Sequence, residues 1–254
     1  GWISFNREDT GNPPDSPYNE PFSLPSSSAL ASYWSFDEGE INQSKTVKDD
    51  SGNGNTGTLV GNQTNSDFVA GVSGTGLNFD GVDDYVHKSS PSFAKDAQGS
   101  VSLWVKFDTL ITEQLIWSIN VNGATDDEFF LDFRGDGNKT LQIILLVNGV
   151  GTFTLETASN IITDTNWHHI VVTSDSSTTS LYIDAVEKTL NTLAGTNSGQ
   201  WFDDATQADI FTLGALTRAT PIVHLDGSID ELRVYSTALT QDEVNALFEN
   251  PPGA

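Results

Sequence analysis

The chain has no cysteine and no methionine among its 254 residues. The absence of cysteine excludes disulfides, thiolate metal sites and thiol nucleophiles together. The absence of methionine fits a mature chain from which an initiator and an export signal have been removed, and the chain opens without a basic-then-apolar leader. No run approaches the roughly 18 apolar residues of a membrane span, so we expect no direct insertion into a membrane.

Basic residues are also scarce, because 11 Lys and Arg stand against 35 Asp and Glu and give a formal net charge of -24. Such a charge repels nucleic acid and anionic membranes, so a polyanionic partner is disfavoured unless a cation mediates. The acidic surface has two interpretations at this point. It keeps the protein soluble at high ionic strength, or it binds cations.

Hydrophobic residues make up 37% of the chain and aromatic residues 10%, enough for a sizeable core. From Tyr33 onward, short apolar-polar alternations are separated by Gly, Asn and Asp clusters, a pattern typical of an all-β sandwich. The predicted strands are Ala31–Phe36, Gly76–Phe79, Tyr85–His87, Ser100–Phe107, Glu113–Asn120, Phe129–Arg134, Thr140–Val147, Gly151–Glu156, Trp167–Ser174, Thr179–Ile183, Phe211–Ala215 and Leu225–Tyr235.

One segment, Thr240–Phe248, has a helical pattern, with Thr240 and Glu243 spaced as a capping box. Residues 1–32 carry five prolines and a Ser26–Ser28 run, which resist helix and sheet alike. We predict that residues 1–32 form a linker or a surface strap and that residues 33–250 form one domain. The fold class is therefore all-β, an antiparallel two-sheet β-sandwich with one short C-terminal helix.

Four stretches, taken together, resemble the laminin-G-like subgroup of concanavalin A-like jelly rolls in extracellular bacterial proteins. They are Tyr33–Gly39 (YWSFDEG), Asp50–Gly57 (DSGNGNTG), Leu77–Val86 (LNFDGVDDYV) and Ile229–Tyr235 (IDELRVY). Ser102–Val105 and Trp167–Thr173 fit the central strands of that family. The resemblance implies a jelly-roll fold and a secreted or cell-surface protein, as part of a larger multidomain protein.

The same resemblance implies a structural calcium joining the first strand, the following loop and the last strand. The residues that match this place are Asp37, Asn53, Asn55 and Asp230. Calcium takes six to eight oxygen ligands from carboxylates, amides and carbonyls, which these segments offer. The alternative is that Asp37 and Asp230 only accept backbone hydrogen bonds and that the loop is only a turn.

Catalytic arrangements are poorly supported, although enzymes share this fold. His168 and His169 are neighbours on a predicted core strand, so their side chains point to opposite faces and cannot act on one substrate. The Glu-x-Asp-x-x-Glu run of retaining glycosidases of this fold is absent, and the nearest imitation is Glu128 with Asp132. We therefore expect no enzyme activity.

Two regions offer the chemistry of sugar recognition, in which an aromatic face stacks on the sugar and planar polar groups reach its hydroxyls. The first centres on Trp201 and Asp203, with Arg218 and His224 downstream. Trp201 stands in a Gly- and Asn-rich loop, where it is either a sugar platform or a lid over the sandwich edge. The second region runs from Ala124 to Glu128 and continues into Asp132 and Arg134, with a solvated hairpin as the alternative.

The relatives implied by the resemblance commonly serve as lectin-like modules, so we predict a calcium-stabilised, non-catalytic module that binds a polysaccharide or another glycan. The alternatives are a structural or protein-binding adhesin module and a polysaccharide-active enzyme of the same fold.

Overall fold

The computed structural model describes residues 24–26, 29–124 and 126–251. The predicted linker or strap therefore lies mostly outside the described residues, and the first strand begins at Leu30. The strands are β1 (Leu30–Trp34), β2 (Thr46–Val47), β3 (Gly57–Val60), β4 (Phe68–Ala70), β5 (Thr75–Asp80), β6 (Tyr85–Ser89), β7 (Gly99–Phe107), β8 (Glu113–Asn120), β9 (Glu128–Arg134), β10 (Thr140–Val147), β11 (Val150–Glu156), β12 (His168–Ser174), β13 (Thr179–Ile183), β14 (Val186–Lys188), β15 (Asn191–Ala194), β16 (Ile210–Leu213) and β17 (Asp226–Tyr235).

The strands form two antiparallel sheets. Sheet A has the order β14-β13-β12-β7-β17-β5-β4, and β1 also pairs with β17. Sheet B has the order β15-β11-β10-β9-β8-β16-β6-β3-β2. The predicted two-sheet antiparallel sandwich is therefore confirmed. The chain passes between the sheets several times, so neither sheet forms from one contiguous segment.

The core lies between the two sheets and follows from the two-residue period of the strands. In β7, Val101, Leu103, Val105 and Phe107 are all buried in this core, while Trp104 points to the other face. The largest buried side chains include Trp34, Trp117, Phe129 and Phe211. Sequence alternation therefore decided which face of each strand is covered.

Both sheets also carry apolar residues on their outer faces. The outer face of sheet A is covered by helix α1 (Gln241–Glu249), whose Val244 and Leu247 pack with Tyr182, Tyr235 and Leu239. The outer face of sheet B carries a smaller apolar cluster of Leu115, Phe130, Ile144 and Leu216. The second cluster is the floor of the groove described below.

The predicted strands agree with the observed ones to within about two residues at each end, and the helix has Thr240 as its N-cap, as predicted. Five short strands were not predicted: β2, β3, β4, β14 and β15. Each has two to four residues, so an alternation is too short to be recognised in it, and each owes its extended shape to pairing with a longer neighbour.

Candidate functional site

A groove of about 440 Å³ lies on the outer face of sheet B. Its floor is the cluster of Leu115, Phe130, Ile144 and Leu216, to which Leu146 and Val223 add partly buried side chains. The floor is continuous because Phe130 on β9 pairs directly with Ile144 on β10. The charged rim is formed by Glu113, Asp132, Arg134 and Arg218.

One side of the rim is a network around Arg134. Its Nη1 lies 3.0 Å from Oε1 of Glu113, and its Nε lies 3.0 Å from Oδ2 of Asp132. The Arg134 side chain is 30% exposed, whereas Asp132 is almost fully buried. The buried carboxylate therefore holds the guanidinium in place while part of it still faces the groove.

The carboxyl group of Asp132 is unusual in its protonation. Burial raises its pKa above the ordinary value, the positive charge of Arg134 opposes the rise, and the carboxylate of Glu113 adds to it. The environment of Asp132 therefore disfavours a second full negative charge beside Glu113.

The other side of the rim is a bidentate pair. Arg218 donates from Nε to Oε1 of Glu128 at 2.8 Å and from Nη2 to Oε2 at 2.6 Å. Glu128 is fully buried and the Arg218 side chain is 27% exposed. Two parallel hydrogen bonds fix the plane of a guanidinium, so Arg218 also presents a rigid polar face.

Local backbone irregularities surround the groove. The register shifts between Leu115 and Trp117 in β8 and between Leu145 and Leu146 in β10. Val223, a β-branched residue, has φ of 57°, in the left-handed region that such residues avoid. Bulges and strained backbone conformations cost free energy and persist only where the surrounding packing maintains them. They concentrate at functional sites.

The structure brings together three of the six predicted ligand-binding residues: Asp132, Arg134 and Arg218 all line the groove. The remaining three do not line it. Among the described residues, Asp203 is an exposed member of a 3-10 turn at Phe202–Asp204, and half-buried His224 lies beside the groove residue Val223, with its Nε2 3.3 Å from the Pro221 carbonyl oxygen.

The prediction that Trp201 offers a platform for sugars was wrong. Trp201 is fully buried in the core, where it stacks on Phe202 at 4.6 Å between ring centroids and meets Phe129 edge-on at 5.9 Å. The loop before it lacks alternation, yet the indole turns inward and closes the end of the sandwich. A buried ring has no free face for a ligand.

The four predicted calcium ligands belong to two separate sets of contacts. Asn53 donates from Nδ2 to the Leu30 carbonyl at 2.7 Å, and Asn55 donates from Nδ2 to the Ala31 carbonyl at 2.8 Å. The Asn55 Oδ1 accepts from the Ser92 amide at 3.1 Å. The side chains of this loop therefore hold β1, and Oδ1 of Asn55 already accepts from the Ser92 amide.

Asp37 and Asp230 meet the hairpin between β4 and β5 instead. Asp37 accepts from the Thr75 amide at 2.9 Å, and Asp230 accepts through Oδ2 from the Val72 amide at 2.8 Å. The other oxygen of Asp230, Oδ1, is buried without a hydrogen-bond partner. Burial raises the pKa of Asp230 to about 7. Asp37 and Asp230 therefore lie at one hairpin, and Asp230 keeps a buried carboxylate oxygen of the kind that binds a cation.

An acidic cluster lies in the turn between β5 and β6, within the stretch Leu77–Val86. One oxygen from each of Asp80, Asp83 and Asp84 falls within 4.8 Å of the others. Burial, followed by the negative charge of Asp80, raises the pKa of Asp84 to about 6. The spacing Asp-x-x-Asp-Asp within a tight turn was the available sequence signal for this cluster.

The fold and the groove define the class of protein. It is an antiparallel β-sandwich that carries an open groove on the outer face of one sheet, with an apolar floor and a charged rim. Residues 80–245 match the family model Laminin_G_3, described as the Concanavalin A-like lectin/glucanases superfamily. The match covers more than half of the chain, so the chain belongs to this family, and the predicted laminin-G-like jelly roll is confirmed.

Solved structures with the same fold include modules of carbohydrate-active enzymes. The chain is similar to domain 4 of AbnA, a GH43 extracellular arabinanase from Geobacillus stearothermophilus, in complex with arabinotriose (TM-score 0.56, 24% identity, 86% of this chain and 97% of that chain). It is also similar to the CBM40 of the Ruminococcus gnavus IT-sialidase bound to α2,3 sialyllactose (TM-score 0.55, 18% identity, 68% and 95%).

A third similar structure is the Trypanosoma rangeli sialidase (TM-score 0.62, 14% identity). The match covers 95% of this chain and 35% of the sialidase chain. At these identities the likenesses establish the fold alone. No curated protein sequence matches the chain. In the described residues, no helix is both long and apolar enough to cross a membrane.

Proposed function

We propose that this domain is a non-catalytic carbohydrate-binding module of a secreted or cell-surface protein, and that it holds its glycan in the groove on the outer face of sheet B. The groove itself carries this proposal. The apolar floor of the groove suits the C–H face of a sugar ring, and two rigid guanidinium groups on its rim suit the hydroxyls.

The charge of the groove favours a neutral glycan. Two guanidinium groups, Arg134 and Arg218, are matched by the carboxyl groups of Glu113, Asp132 and Glu128. No positive charge is therefore left over for an anionic sugar, and the net charge of the chain, -24, disfavours it further. The related modules bound to arabinotriose and to sialyllactose show that this fold accommodates both neutral and acidic oligosaccharides.

The absence of catalysis is supported by the spacing of the carboxylates. Glu128 and Asp132 are four residues apart on one strand, which separates them by about 13 Å. Glycosidases place their two carboxyl groups about 5–5.5 Å apart when they retain configuration and about 6.5–9.5 Å apart when they invert it. Glu128 is also fully engaged by Arg218.

Filling the groove tests the proposal. Gly151 lines the groove, and a Cβ built on it meets nothing within 4 Å, so a larger residue fits there without strain. We expect Gly151→Phe to lower the affinity for a glycan identified on an array at least tenfold while the melting temperature stays unchanged. Gly151→Ala is the matched control and should bind like the native protein.

A second variant tests the rim. Arg134→Lys keeps the charge but loses the planar guanidinium group, so it should lower the affinity for the glycan while the melting temperature changes little.

If no neutral or acidic glycan binds on arrays or insoluble polysaccharides, the domain is instead a structural or protein-binding module. Release of reducing ends that Asp132→Asn abolishes would overturn the non-catalytic assignment.

Calcium support at the β4–β5 hairpin is part of the proposal. Asp37 and Asp230 contact this hairpin, and the buried Oδ1 of Asp230 has no hydrogen-bond partner. A carboxylate oxygen of this kind can serve as a calcium ligand. We expect calorimetric titration with CaCl2 to lose one binding event in Asp230→Asn. An unchanged number of binding events would remove this ion from the proposal.

A further inference from the structure

The turn between β5 and β6 gathers carboxylates by its own hydrogen bonds. Asp80 accepts through Oδ1 from the Val82 amide at 2.8 Å and from the Asp83 amide at 3.2 Å. These bonds wind the turn so that Asp80, Asp83 and Asp84 each bring one oxygen within 4.8 Å of the others. Two oxygens on one calcium lie at most about 5 Å apart, because each Ca–O bond is about 2.3–2.6 Å long.

The cluster also holds carboxylate oxygens that nothing satisfies. Oδ1 of Asp83 and Oδ1 of Asp84 are both buried without a hydrogen-bond partner, and Asp84 as a whole is only 4% exposed. Buried polar atoms in native proteins are nearly always paired with protein, water or an ion. Two unpaired oxygens beside a third carboxylate therefore offer the ligands that a hard cation takes.

Neighbouring positive charges do not fill this role. In the described part of the chain, no Lys or Arg forms a salt bridge with the three aspartates. The nearby Lys45 donates from Nζ to the Gly61 carbonyl at 3.1 Å instead. Three carboxylates in contact without a cation repel one another, so a bound ion would remove an electrostatic cost that the fold otherwise carries.

The loop after β3 closes over the same place. Gly61 has φ of 110°, and a Cβ there would overlap Oδ1 of Asp84 and lie 2.9 Å from the Asp83 carbonyl oxygen. Asn62 donates from Nδ2 to Oδ2 of Asp83 at 2.9 Å, which leaves the Oδ1 of Asp83 free. Only a glycine leaves room at this point, and the space that it leaves is lined with oxygen atoms.

We propose that Asp80, Asp83 and Asp84 bind a divalent cation of the calcium type, and that this ion fastens the turn that joins β5 of sheet A to β6 of sheet B. Hard cations take carboxylate and carbonyl oxygens, and water supplies the remaining positions. The ion would close one end of the sandwich at a point where strands of the two sheets meet. This site shares no residue with the groove or with Asp37 and Asp230.

The test is calorimetric titration of the metal-free domain with CaCl2, with thermal unfolding in CaCl2 and in EGTA beside it. Asp84→Asn should lower calcium affinity at this site at least tenfold and reduce the rise in melting temperature that calcium produces in the native protein. Asp136→Asn is the matched control, because Asp136 lies in an exposed hairpin outside the cluster, and its calcium response should be native.

Asp230→Asn separates this site from the β4–β5 hairpin, since it should leave the binding event at Asp84 intact. Should Asp84→Asn fail to fold, Asp83→Asn provides the same measurement. Absence of any calcium effect on native melting, or a native calcium response in both Asp83→Asn and Asp84→Asn, would refute the proposal. A larger response to MgCl2 than to CaCl2 would refute its assignment to calcium.

Discussion

At the scale of single residues, the adjacent His168 and His169 show how one strand places like side chains in opposite environments. His168 Nδ1 lies 2.9 Å from Oδ2 of Asp184, and the hydrogen bond to that carboxylate is the main cause that raises the His168 pKa. His169 packs against Trp104 and Phe248, and burial lowers its pKa to about 3, with the positive charge of Arg233 adding to the shift. The expectation that they cannot act together follows from this alternation.

The depressed pKa of His169 predicts an acid-sensitive fold. The unfolded chain protonates this residue near pH 6.5 and the folded chain only near pH 3, so its contribution to stability is complete above pH 6.5 and is lost as the pH falls toward 3. Between pH 7 and pH 5 this residue should cost about 2 kcal/mol of unfolding free energy.

The measurement is urea unfolding of the native protein and of His169→Gln at both pH values. Gln does not titrate, so the variant should lose less stability on acidification, whatever its stability at pH 7. His168 and the carboxylates remain in both proteins and cancel in the comparison. Equal losses would show that His169 is not neutral and buried.

Buried carboxylates with complete partners behave differently from those of the candidate metal sites. Oδ1 of Asp127 accepts from the Asn148 amide at 2.9 Å, and its Oδ2 accepts from the Thr206 hydroxyl at 2.8 Å and the Gln207 amide at 3.0 Å. Burial alone would raise the Asp127 pKa, but these hydrogen bonds lower it below the ordinary value. Asp127 therefore connects the segment before β9 to the turn after β10 and to Thr206 and Gln207.

At the scale of elements, α1 is the one helix longer than a single turn in the described residues, and it closes the outer face of sheet A. Phe248 stacks on Trp104 with 5.5 Å between ring centroids. The helix starts with a capping box, in which the Glu243 amide donates to Thr240 Oγ1 at 3.3 Å and the Thr240 amide donates to Glu243 Oε2 at 2.8 Å. Local capping and tertiary packing thus act on the same nine residues.

Removal of the cap should weaken this closure. We expect Thr240→Ala to lower the unfolding free energy by about 1 kcal/mol, because it leaves the Glu243 amide without its acceptor. Thr240→Ser keeps the hydroxyl and should restore most of the loss in chemical denaturation. Equal stability of the Ala and Ser variants would mean that packing of Phe248 and Leu247 alone holds the helix.

At the scale of the whole molecule, the net charge of -24 is spread over a sandwich with few basic residues. Like charges that remain close after folding repel one another and oppose the compact state. Salt screens this repulsion, with a Debye length of about 10 Å at 0.1 M. The acidic surface therefore lowers the stability of the folded state as well as keeping the protein soluble.

Salt should stabilise the protein. We expect the melting temperature in EGTA to rise between 20 mM and 0.5 M NaCl at pH 7, and KCl should produce the same rise. The rise should shrink as the pH approaches the isoelectric point of about 4.1. A fall in melting temperature with NaCl would show that attractive ion pairs outweigh the repulsion.

The sequence by itself determined the sandwich and its terminal helix, because both depend on local patterns. Alternation with period two identified the long strands of both sheets, and Thr240 with Glu243 marked the helix start before any packing was known. The same local signals identified Asp132 and Arg134 as one face of a strand, which is how part of the groove could be predicted.

Only the tertiary structure decided which distant residues pack against the strands and loops. Trp201 lies in a segment with no alternation, so its burial depends on Phe129 and Trp117 from distant strands. Arg218 joins the groove only because it reaches Glu128, 90 residues earlier in the chain. Asn55 and Asp230, predicted to share one ion, contact different loops for the same reason: long-range pairing of strands, which no local spacing encodes, sets the positions of their partners.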